Sequence, residues 1–164
     1  MQQPATGGGQ LGDDIVLSPE HREAIRSNGV ITTPNRKLSI DGEFVHVEVT
    51  GDSDLPVIIF DCRVFEEVLR LHKRVFVLLY DPRGGQTMPA NCRRWVAEWD
   101  RQHGVNAVAV VNNGSRGTNT MLSLLVRGMN LVRRKPMKLA FYATQTEARA
   151  WLDELRHGPS QRSD

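Results

Sequence analysis

Between residues 75 and 155 three short apolar runs alternate with three amphipathic ones, and no other feature constrains the fold of this chain as strongly. Residues 75–80, 105–111 and, more weakly, 137–143 are continuous apolar stretches, the pattern of strands covered on both faces; Asp81-Pro82 closes the first. Between and after them lie helix-like segments. Residues 89–103 put Cys92, Trp95, Val96 and Trp99 on one stripe, 118–134 follow the second strand, and 146–156 bury Ala150, Trp151 and Leu155. Repeated strand, helix and strand units imply parallel central strands joined by right-handed crossovers, with helices covering the sheet.

Upstream of this block, Asp41-Gly42 separates Leu38 and Ile40 from the alternating Val45, Val47 and Val49, which predicts a hairpin over residues 37–50. Phe44, His46 and Glu48 fall on the opposite face, and His46 reads as a solvent-side strand residue. Residues 54–73 admit a strand at 57–60, but Leu55, Ile58, Ile59, Cys62, Phe65, Leu69 and His72 recur at helical spacing, so a helix is expected. Asp54 can cap it, and Pro56 is tolerated in its first turn. Ser18-Pro19-Glu20 marks the start of a short helix ending near Asn28-Gly29. The expected organisation is a disordered tail at 1–13, a helical extension at 14–36, one domain at 37–157 and a second tail at 158–164.

With 164 residues and 40% apolar content, the chain suits a single domain with its own core. It has no apolar run long enough to span a bilayer and no secretion signal at its start, so a cytoplasmic location is expected. Cys62 and Cys92 match no metal or redox spacing and read as reduced, partly buried thiols. The net charge of +2 is small but unevenly spread. No acid occurs between Asp100 and Glu147, an interval that holds Arg101, Arg116, Arg127, Arg133, Arg134, Lys135 and Lys138.

The segments VFVLLYDPRGG, PANCRRWVAEWDRQHGVNAVAVV and LAFYATQTEARAWL make the chain from about residue 38 onward resemble the STAS (SpoIIAA-like) domain family. The resemblance implies an α/β fold, a STAS-like single domain whose mixed sheet has mostly parallel central strands covered by helices. It further implies a regulatory, protein-binding role, as in the bacterial anti-sigma factor antagonists. In those proteins a phosphorylatable serine precedes the helix after the third strand. Here that loop reads Asp81-Pro82-Arg83-Gly84-Gly85-Gln86-Thr87-Met88-Pro89, with Thr87 as its one hydroxyl. A phosphate on Thr87 would gain from the helix dipole and from Arg83; alternatively Thr87 simply caps the helix.

The loop 112–119 also leads from the end of a strand into a helix, a common place for ligands in parallel sheets. Its Arg116, Gly117 and Thr118, with Arg83 and Gly85 of the other loop, are candidates for a small anion or ligand. Neither loop matches a nucleotide-binding fingerprint.

The helix 121–132 is apolar nearly all round, which requires burial or a partner. Three readings compete: core packing, a homodimer or protein-partner interface, and contact with anionic lipid headgroups through the basic turn. The preferred reading combines core packing with an interaction surface formed by Met121, Leu125, Met129, Arg133, Arg134 and Lys135. A small-molecule ligand or peripheral lipid is the alternative. Enzyme chemistry is not expected, because the five histidines stand apart and no nucleophile elbow, metal helix or phosphate loop occurs. Asp61, Cys62 and His72 are the nearest approach to a nucleophile set, but Cys62 sits on the apolar stripe of its helix. Asp81 is the best lone acid or metal-ligand candidate and reads more simply as a turn former. No metal, cofactor or specific nucleic acid is expected, since the basic region lacks an aromatic stacking platform.

Overall fold

The computed structural model describes residues 12–83, 88–111, 116–131 and 136–158, excluding the side chains of 116–118, 121 and 122. Along the chain run α1 (Pro19–Arg26), β1 (Val30–Thr32), β2 (Arg36–Asp41), β3 (Phe44–Val49), α2 (Leu55–His72), β4 (Phe76–Tyr80), α3 (Ala90–Gln102), β5 (Ala107–Val111), α4 (Arg116–Asn130), β6 (Lys138–Tyr142) and α5 (Gln145–His157). The strands lie side by side in chain order. β1, β2 and β3 pair antiparallel, while β3 to β6 pair parallel, so the fold is α/β with a mixed sheet.

Strand order dictates where the helices go. Each parallel link advances one strand in the same direction, and right-handed crossovers then place α2, α3 and α4 on the same face. Their Val64, Val68, Trp99, Val126 and Met129 meet Val45, Val47 and Val77 of the sheet in one core. α5 follows the last strand and covers the other face, where Ala148 and Leu152 pack on Phe44, Phe76, Leu78, Ala107 and Ala109. The two alanines of β5 leave space for α5 to come close.

The hairpin turns at Gly42-Glu43, because Asp41 pairs with Phe44. Gly42 has φ +58, a conformation that glycine adopts at little cost. Glu43 is buried and fastens this turn to the rest of the domain, accepting from Arg74 Nη2 at 2.9 Å and contacting Arg156 Nε at 2.8 Å. Arg149 lies 3.9 Å from the Phe44 ring centroid and bonds Asp41 at 2.7 Å, so α5 is held across the hairpin by charge as well as burial.

The covered second face changes one expectation. Phe44 is 2% exposed under α5, and His46 is half-buried with its Nε2 buried and lacking a hydrogen-bond partner. His46 is therefore not a solvent-side residue. Burial lowers its pKa from the ordinary histidine value.

The segment 14–36 belongs to the same body. Ser18 caps α1 by a reciprocal pair with His21: Ser18 Oγ accepts from the His21 amide, and His21 Nδ1 accepts from the Ser18 amide. Leu17, Ile25 and Ile31 are buried in the main core, and β1 pairs with β2 along the sheet edge. The 54–73 stretch is the helix α2, with Asp54 Oδ1 accepting from the Val57 amide at 3.2 Å and Lys73 ending it in the left-handed conformation.

Candidate functional site

Among the described residues, the carboxyl ends of the parallel strands carry little free chemistry. Asp81 Oδ1 accepts from the Arg83 amide at 2.9 Å, closing a turn of its own residues. Arg83 donates from Nε to the same oxygen and from Nη2 to the Gly51 carbonyl at 2.7 Å. Thr87 and Gly85 lie outside the described residues. Arg116, Gly117 and Thr118 form the first turn of α4, with side chains outside the description.

The nucleophile candidates are dispersed. Cys62 is buried on α2, and burial pushes its thiol well above the ordinary range, which suppresses the reactive thiolate. His72 is exposed at the end of α2, and Asp61 is engaged by Arg36. Trp99 Nε1 donates to Glu66 Oε1 at 2.7 Å, and Glu67 is held low by its bonds from Arg70. These acids tie the helix layer together. Among the described residues no group of acids, histidines and cysteines has the arrangement of a metal site, and no helix is long and apolar enough to cross a membrane.

One of the two sheet edges, at β6 and α4, carries an open surface. The start of β6 is fixed to the end of α4 by Asn130, whose Nδ2 donates to the Met137 carbonyl at 3.0 Å and whose Oδ1 accepts from the Met137 amide at 2.8 Å. This pair of hydrogen bonds ties the end of α4 to the start of β6. Val126 and Met129 turn into the core, and Leu125 packs half-buried against it. Met129, expected at the contact surface, is thus a core residue, and Leu125 leans the same way. The outward positions are Leu124 at 61% and Leu131 at 87% exposure, with Arg127 between them. The Leu131 amide still donates to the Arg127 carbonyl at 3.3 Å, so the two leucines stand two helical turns apart on one side.

Beside Leu124 lies Phe141 of β6, half-buried at the floor of a shallow depression of about 430 Å³ that Ser123 and Arg127 also line. Among the described residues β6 pairs only with β5, so its other side is an open strand edge. Arg133, Arg134 and Lys135 lie outside the described residues, as does the side chain of Met121. The sequence reads as a helix apolar nearly all round; which leucines point outward depends on tertiary packing that no local pattern carries.

No protein-family model matches the chain, and no curated protein or solved structure matches it either.

Proposed function

We propose that this chain is a non-enzymatic regulatory module of STAS type in the bacterial cytoplasm, and that it takes up a protein partner along the α4 and β6 edge. The observation that carries the reading is the pair Leu124 and Leu131, exposed on one side of α4 next to the open edge of β6. Isolated exposed leucines are ordinary, but two on one side of a helix, the first of them beside a half-buried phenylalanine on an unpaired strand edge, form a strip that a partner can cover. Arg127 borders the strip, which favours a partner with acids around an apolar centre. The STAS assignment is supported by the chain-order succession of strand and helix units and by the loop and helix segments that resemble that family. The cytoplasmic assignment is supported by two free, buried cysteines.

The test is native mass spectrometry of the full chain isolated from its own cells, comparing wild type with a Leu124→Asp, Leu131→Asp double variant. The expected result is a wild-type assembly heavier than one protomer that the double variant loses while melting as the wild type does. A second copy and a different protein are told apart by the mass. A wild type recovered alone, or an assembly indifferent to both substitutions, contradicts the proposal.

A further inference from the structure

The backbone groups on the outer side of β6 are paired at one position and open at the next two. Lys138 donates its amide to the Asn106 carbonyl, so alternate residues from Lys138 face β5, while Met137, Leu139 and Phe141 face outward. At Met137 both outward groups are met. The Asn130 carboxamide donates to its carbonyl and accepts from its amide, as a peptide group of a neighbouring strand would. At Leu139 and Phe141 no described residue bonds the outward amide or carbonyl. Exposure follows the same line. Every residue of β6 keeps some exposure although α4 and α5 both contact the strand, whereas all of β5 except Val108 is buried.

We infer that an extended, acidic segment of a partner protein adds to β6 as a seventh strand, continuing the pairing that Asn130 begins at Met137. The inference rests on the reading of the α4 and β6 strip as the partner surface, and it names what covers that surface. The backbone selects an extended occupant, because a helix spends its amides and carbonyls on itself and has none for Leu139 and Phe141. β6 also suits the role better than the opposite edge: β1 has three residues, β6 has five with no proline among them.

The charges select an acidic occupant. Arg127 lines the depression beside Phe141 on the α4 face, and no acid lines it. Lys138, aligned with Ala107 of the α5 face, is exposed on the other side of the sheet. An added strand thus meets a cation on either face. A second copy brings the same two cations with its own β6 and α4, so its sign is wrong for this edge.

The probe is a hexapeptide of alternating valine and glutamate, acetylated and amidated at its ends, titrated into the full chain and followed by NMR of the backbone amides. Saturable binding is expected, with the largest amide shifts at Leu139 and Phe141. A copy methylated at every backbone nitrogen keeps the side chains but donates no hydrogen bond, and is expected to bind about ten-fold more weakly. A copy with lysine in place of glutamate is expected to lose affinity as well. Equal affinities for the parent and the methylated copy overturn the inference, as do binding that leaves Leu139 and Phe141 unmoved and no binding at millimolar peptide. Movement of these two amides with protein concentration alone would also overturn it, since β6 then pairs with a second copy. Should the peptide fail while the cellular assembly still disappears in the Leu124→Asp, Leu131→Asp variant, the strip stands as the partner surface and the strand pairing alone is refuted.

Discussion

Arg36 on β2 and Asp61 on α2 meet at 2.9 Å, with side chains 2% and 9% exposed, and so join the antiparallel half of the sheet to the helix layer inside the core. A buried pair of this kind contributes little beyond a well-packed apolar pair, but breaking it strands a charge. Arg36→Met should therefore destabilise the domain by about 3–5 kcal/mol, and adding Asp61→Leu should recover most of the loss. Urea denaturation of the three proteins measures both changes; a double variant no better than the single would contradict this account of the pair.

The same residue predicts a pH dependence. Burial raises the Asp61 pKa from 3.8 to about 6, with the Arg36 charge and hydrogen bond pulling against it. The folded form thus holds this proton more tightly than the unfolded chain. The stabilising contribution is complete below about pH 4 and is lost as the pH rises through about 6, a change on the order of 3 kcal/mol for a shift of this size. His46 acts in the opposite sense. Its depressed pKa gives a contribution that is present above its unfolded value near 6.5 and lost as the pH falls through its folded value. Stability curves between pH 4 and 7 for wild type and Asp61→Asn separate the two, since the difference between them isolates Asp61. A difference that stays flat across that range would refute the assignment.

Lys73 offers a stabilising change. It ends α2 with φ 65, while its amide donates to the Leu69 carbonyl at 2.8 Å. The bond needs no side chain, and the left-handed conformation costs a residue with a Cβ about 1–2 kcal/mol. Part of that gain is offset by the greater freedom of glycine in the unfolded chain. Lys73→Gly should raise stability by about 1 kcal/mol, measured as an upward shift of the thermal midpoint with unchanged circular dichroism.

How far the sequence could be read varies from element to element, and the reasons are physical. The apolar runs of β4 and β5 and the capped, periodic α2 are local patterns, and Asp54, Pro56 and Lys73 stand where a helix needs them. β1 has three residues, too few for an alternation to register, so its place beside β2 was hidden along with the role of α1 in the core. Phe44 and His46 looked outward because the helix that covers them comes near the end of the chain. The Arg36 and Asp61 pair spans 25 residues and two kinds of element, and neither residue signals the other. The split of α4 into an inward Val126 and Met129 and an outward Leu124 and Leu131 likewise needed tertiary contacts.

Amide hydrogen exchange tests the contact face most directly, comparing the chain in the assembly isolated from its own cells with the same chain after dissociation. The account predicts protection on assembly concentrated from Leu124 in α4 to Leu131 just past its end, and at the β6 amides of Leu139 and Phe141, which the alternation of strand pairing leaves on the open side. Protection falling instead on β1 or on the outer surface of α5, with α4 and β6 exchanging as in the free chain, would contradict it.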